Sequence, residues 1–249
     1  MRPSLPFLLL LLGLPRCLSG QSLAQRIGAA DEGTVRLSFP ARAGICGDGA
    51  NGISMRQDSE EWQPDCGPRL VRVALRLRDH RVHSMRTYVG GRWLPDRWST
   101  DLGLVRPQEA ADYFIGLAER TGAATVAGDP LLPSALADSV TIWPSLLRLA
   151  RTPRVPEETR TRAVFWLSQA AGAAAGKALD SIAQDDRGDR EVRKQAIFAL
   201  SQRSHDEGVP ALIRIARASP DPELRKTALF WLGQSEDPRA LDLFEEILR

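Results

Sequence analysis

The heptapeptide Ala-Val-Phe-Trp-Leu-Ser-Gln that starts at Ala163 returns as Ala-Ile-Phe-Ala-Leu-Ser-Gln from Ala196 and as Ala-Leu-Phe-Trp-Leu-Gly-Gln from Ala228, 33 and then 32 residues later. A period of this size constrains the fold strongly, because each copy becomes one supersecondary unit that must stack on its neighbours. A second phrase keeps the same register. Trp143-Pro-Ser-Leu-Leu-Arg-Leu-Ala-Arg is matched by Val209-Pro-Ala-Leu-Ile-Arg-Ile-Ala-Arg 66 residues on, with Lys177-Ala-Leu-Asp-Ser-Ile-Ala as a degenerate middle copy. Each unit is then two short helices, neither of which can bury its apolar face alone, and residues 139–249 are expected to form an α-solenoid of helical hairpins.

Local grammar agrees with the repeat. Pro156, Pro222 and Pro238 occupy first-turn positions, the last two after Asp221 and Asp237 as N-caps. Val192, Ala196, Ala199 and Leu200 fall on one helical face and are expected to share a core with Leu179, Ile182, Leu212 and Ile215. A basic turn is expected before each second helix, at Arg160 to Arg162, Arg193-Lys194 and Arg225-Lys226. The final copy, with Asp242, Glu245 and Glu246, reads as a polar terminal cap.

The repeat also suggests a site. Phe165, Phe198 and Phe230 recur in register but point away from the Val192, Ala196 and Leu200 face. Helical spacing sets Lys194 and Gln202 four residues either side of Phe198, and Lys226 and Gln234 likewise around Phe230, while Thr161 replaces the lysine in the first copy. Stacked second helices would align these as a stripe of cation, ring and amide on the inner surface, suited to an extended peptide or an acidic segment. The alternative is that the rings fill gaps between adjacent helices.

Ahead of the repeats the pattern has period two. Thr34 to Phe39 reads as a strand, and Leu70 to Val89 as a hairpin broken at Asp79-His80, with one buried face. From Arg69 to Arg97 there are eight arginines against two aspartates. This is either a basic binding patch or the solvated face of strands whose charge deters aggregation. His80 and His83 lie across the turn with no third metal ligand in sequence, and no metal site is expected. Pro107 opens a helix over Gln108 to Arg120 that ends before Gly122, and a linker-like stretch runs from Ala123 to Pro133.

The chain starts like an exported protein. Arg2 precedes the unbroken run Leu8 to Leu12, which is too short to span a bilayer, and no later segment is apolar enough to cross one. Signal peptidase favours small residues at the last and third-last positions before its cut. Ser22-Leu23-Ala24 meets that rule, with Leu18-Ser19-Gly20 as the second option. A lipid anchor on Cys17 is disfavoured by Pro15 and Arg16 beside it. Removal of the leader leaves Cys46 and Cys66, an even pair for which a disulfide is the default in an oxidising compartment, worth about 3 kcal/mol for a loop of this length. Gly47-Asp48-Gly49 and Asn51-Gly52 within that loop read as turns. The expected order is a signal peptide over 1–24, a small β-rich unit with a disulfide over 25–100, a helical connector over 101–138 and the repeats over 139–249, an α+β protein.

On Val192-Arg193-Lys194-Gln195-Ala196 to Leu200 and on Leu224-Arg225-Lys226-Thr227-Ala228 to Gly233, the array resembles the HEAT-like repeats of the bilin-lyase type. The whole is similar to exported bacterial HEAT-repeat proteins. The resemblance implies an armadillo-type α-solenoid with a macromolecular partner. An export signal disagrees with lyase action on cytoplasmic phycobiliproteins, and the repeated His-Glu pairs of HEAT-repeat hydroxylases are missing, since His205 is followed by Asp206.

Charge narrows the partner. With 33 Lys plus Arg against 31 Asp plus Glu the chain is nearly balanced, which argues against a nucleic-acid binder held by phosphate attraction. No Gly-x-Ser-x-Gly, phosphate loop or spaced carboxylate pair is present. The expectation is an exported, periplasmic or extracellular, non-enzymatic scaffold without cofactor that binds a protein or peptide and does not insert stably in a membrane. The alternative is an enzyme, lyase-like or hydrolytic, with its site in the amino-terminal unit.

Overall fold

The computed structural model describes residues 20–48, 62–63, 69–121, 126–170 and 173–249. Cys17, Cys66 and the apolar run of the leader lie outside them. The amino-terminal half contains a five-stranded sheet built from β1 (Gly33–Pro40), β2 (Gly47–Asp48), β4 (Leu70–Arg78), β5 (Arg81–Val89) and β7 (Ser99–Leu104), in the order β2-β5-β4-β1-β7. A two-stranded ribbon pairs β3 (Trp62–Gln63) with β6 (Arg92–Trp93). β4 and β5 form the expected hairpin. Asp79 and His80 take φ of 51° and 57°, the left-handed pair that a two-residue turn between right-twisted strands needs.

One face of the sheet is apolar and fully covered. Val35, Leu37 and Phe39 of β1 and Val71, Val73 and Leu75 of β4 are buried under three helices, α1 (Leu23–Gly28), α2 (Pro107–Thr121) and α3 (Leu132–Leu136). Phe39 meets Phe114 of α2 at a centroid distance of 6.4 Å. Both faces of β1 are buried, because on the side opposite Val35, Leu37 and Phe39 the Arg36 guanidinium donates to Leu94 O at 3.0 Å beneath the β6 segment. The guanidinium groups of Arg36 and Arg72 lie 4.9 and 6.0 Å from the Trp93 ring centroid, so part of the basic hairpin is packing. Arg76, Arg78 and Arg81 stay exposed.

Three expected boundaries move. Ser22 and Leu23, assigned to the leader, start α1: Ser22 caps the helix and Leu23 is buried. The division at 100/101 falls inside β7, which pairs parallel with β1. The connector and its linker-like stretch are integral to the sheet unit, since Val126, Leu131 and Leu136 are buried and Ala127 bridges to β5 through Met85 N–H at 2.8 Å. Gly128, at φ +119°, makes this approach possible, because a Cβ there would stand 2.6 Å from Met85 O. Asp129 then accepts from Trp166 Nε1 at 2.9 Å and lies 3.5 Å from Arg162, joining the sheet unit to the first helical pair.

The helical array consists of α4 (Trp143–Arg151), α5 (Glu157–Ser168), α6 (Ala173–Ala183), α7 (Arg190–Ser201), α8 (His205–Ala218), α9 (Pro222–Gly233) and α10 (Pro238–Leu248). First helices α4, α6, α8 and α10 contact one another in sequence, as do second helices α5, α7 and α9, which makes two stacked layers. The expected core residues Val192, Ala196, Ala199, Leu200, Leu179, Ile182, Leu212 and Ile215 are all buried. The basic pairs lie inside the helices and not in turns before them. Their first members close the preceding helix or loop: Arg160 donates to Val155 O, Arg193 to Ala183 O and Arg225 to Ser219 O. The last helix is not purely polar outside, because Leu241, Ile247 and Leu248 are exposed beside Asp242, Glu245 and Glu246.

Aspartates tie unit to unit. Asp189 caps α7 and meets Arg160 at 3.3 Å; Asp221 caps α9 and meets Arg190 at 2.9 Å; Asp237 caps α10 and takes two bonds from Arg239. Burial alone pushes the Asp189 and Asp221 carboxyls up, but cap N–H groups and the arginines outweigh it and hold both below the usual range. At Asp237 the Arg239 guanidinium is the main cause, and the carboxyl is held down to about 2. A carboxyl depressed in the fold contributes stability above its unfolded pKa of about 4 and loses that contribution as pH falls through the folded value. The melting temperature should therefore drop between about pH 4 and pH 2. Asp237→Asn, which keeps a capping acceptor, should flatten the drop; an unchanged acid profile in that variant would contradict the assignment.

Candidate partner-binding face

The second helices present one continuous side to solvent. Their small residues Ala163, Ala196 and Ala228 are buried against the first layer, which turns the recurring phenylalanines outward. Phe165 is 41% exposed and Phe230 58%, whereas Phe198 is half-buried. The difference has a local cause. Phe198 lies on Trp231 of the next helix at 5.0 Å between centroids, while the residue of α7 that matches Trp231 in the repeat is Ala199, which offers Phe165 no ring. Phe198 thus bridges adjacent helices, as the gap-filling alternative expects, and Phe165 and Phe230 stand at the surface.

The polar members divide similarly. Lys194 sits 3.1 Å from Glu191 one turn back, so its charge is shared within α7, and Lys226 is exposed. Gln202 and Gln234 are C-caps of α7 and α9, and Gln169 is the matching C-cap of α5. The Gln202 amide donates to Ser201 Oγ at 3.1 Å. These glutamines end the helices first and reach the stripe only from its rim. Beside them, Trp231, Gln234, Gln202, Arg203 and His205 border a cleft of about 140 Å3 between the ends of α7 and α9. Trp166 and Trp231 were not singled out from sequence, although the Trp, Ala, Trp alternation directly after the three phenylalanines carried the signal.

Elsewhere His80 has its Nδ1 3.2 Å from Gly28 O and its Nε2 3.2 Å from Asp31, which ties the hairpin turn to the end of α1. Among the described residues, no group of three His, Cys, Asp or Glu side chains could hold a metal ion, and no helix is long and apolar enough to cross a membrane.

A period of 32 to 33 residues, paired helices in two layers and an apolar seam between neighbouring units are now in place. Residues 183–249 match the family model for HEAT repeats. No curated protein matches the chain. The HEAT match takes in α7 to α10, and therefore Lys194, Phe198, Gln202, Lys226, Phe230 and Gln234, while Phe165 precedes it. HEAT repeats are consistent with a protein-interaction scaffold.

Proposed function

We propose that this protein is an exported, non-enzymatic scaffold of a periplasmic or extracellular space that holds a protein or peptide along the α5, α7 and α9 face. The observation that carries the reading is the exposure of Phe165 and Phe230 on either side of the Phe198–Trp231 contact. Exposed rings in register on a rigid array give large contact area at small entropic cost, and Lys226 beside them favours acidic groups in the partner. Export is supported by the leader pattern and by the even cysteine pair that remains after it, for which this reading expects Cys46 in a disulfide, the state that an oxidising compartment maintains. Cys66 is the partner this reading assigns to it.

The test uses a photo-crosslinking residue placed at Phe230, or at exposed Arg214 of α8 on the other layer as a control. Cells carrying the full chain should yield a discrete protein adduct from position 230 and none from 214, and Phe165→Ser with Lys226→Ala should abolish the adduct while leaving the melting temperature nearly unchanged. Equal adducts from both positions, or an adduct indifferent to Phe165 and Lys226, would reject this face.

A further inference from the structure

We infer that the leader is removed at the Gly20–Gln21 bond, so that the mature chain begins at Gln21 and keeps Ser22 and Leu23. The inference rests on the export reading above. Residue size alone favours a cut after Ala24, with Ser22 and Ala24 in the two selective positions, over one after Gly20, with Leu18 and Gly20 there. The fold reverses that preference.

Ser22 and Gln25 form a reciprocal box at the start of α1. Ser22 Oγ accepts the Gln25 N–H at 3.3 Å, and Gln25 Oε1 accepts the Ser22 N–H at 2.9 Å. Leu23 is only 2% exposed and lies with Ile27 in the core shared by the sheet and α2. Ser22, Leu23 and Ala24 also form one wall of a hollow of about 410 Å3 whose other wall is α2, with Glu109, Asp112 and Tyr113. A cut after Ala24 would remove the cap, the buried leucine and that wall together. It would also set a new ammonium group at the positive end of a helix reduced to Gln25–Gly28, too short to hold itself or to position Arg26, which meets Glu109 at 3.0 Å. Gly20 and Gln21 are exposed and precede the helix, and a Cβ on Gly20 would touch nothing within 4 Å. Cutting between them removes none of the contacts that hold α1 to α2.

The step is hydrolysis of one amide by signal peptidase. Water adds across the C–N bond, Gly20 leaves with the leader as a carboxylate, and Gln21 keeps the amine or closes to pyroglutamate with loss of ammonia. Because both cuts expose a glutamine, intact mass and the amino-terminal peptide are the measurements of choice on the full precursor expressed in an exporting host.

The expected product starts at Gln21. Ala24→Leu, at an exposed position, should be processed as the parent is, and Gly20→Leu should accumulate as precursor. A chain made without a leader to begin at Gln25 should melt below one that begins at Gln21. An exported product starting at Gln25, or processing lost in Ala24→Leu but kept in Gly20→Leu, would overturn the assignment alone. Uncut precursor held in the cytoplasm would overturn the export reading and this assignment with it.

Discussion

Leu200→Ala lowers the unfolding free energy by about 2–5 kcal/mol and loosens more than the helix that carries it. Leu200 is buried near the end of α7, which packs against α5, α6, α8 and α9. The start of α8 approaches so closely that a Cβ on Gly208 would stand 2.4 Å from Leu200 O. The seam around Leu200 therefore cannot close far enough to fill the void left by the three missing carbon groups, and the cavity term adds to the lost transfer energy. In a stacked array each unit is stable because its neighbours cover it, so amide exchange should quicken in α5 and α9 together with α7. Faster exchange confined to α7 would show that the units do not depend on one another.

Phe114→Ala costs about 3–5 kcal/mol and exposes the sheet to exchange. Phe114 is fully buried on α2 against Phe39 of β1, with Tyr113 beside it at 5.2 Å. A helix that merely connected two units would transmit nothing to the strands. Because α2 covers the apolar face, amides of β1 and β4 should lose protection in this variant, and denaturant unfolding should shift to lower concentration. Unchanged protection of Val35 to Phe39 would return α2 to the role of a connector.

The repeats were legible because their chemistry is local. A 3.6-residue spacing of Val192, Ala196 and Leu200 states which side is buried whatever the partner, and an aspartate before proline marks Asp221 and Asp237 as caps wherever the helix lands. The basic pairs were half legible. Period alone showed that Arg193 and Lys194 recur, but only the position of Ala183 O reveals that the arginine is structural while the lysine faces out. The same limit hid the unequal burial of the three phenylalanines, which depends on whether the next helix offers Trp231 or Ala199. Residues 126–131 gave no periodic signal at all, since they are held by isolated contacts to β5 and α5 and not by a regular face. Ser22 and Leu23 carry two readings at once, a cleavage motif in the sequence and the start of α1 in the fold. The small residues that suit a protease also suit a helix cap, and the two chemistries write the same letters.

The contact between Asp129 and Trp166 bears on how such a protein could be assembled by recombination. A helical array with its own period is the sort of cassette that moves between genes, and the repeat boundary at about residue 139 would be the natural place to splice. A transplanted cassette cut there would arrive with the Trp166 indole robbed of its acceptor and with Arg162 left to Glu158 alone, because Asp129 lies upstream of the splice. The smallest transferable module begins before Val126, and it carries with it the edge that β5 offers to Ala127. A lineage that exchanged the array at the repeat boundary would need a replacement acid at that junction to give the Trp166 indole an acceptor again.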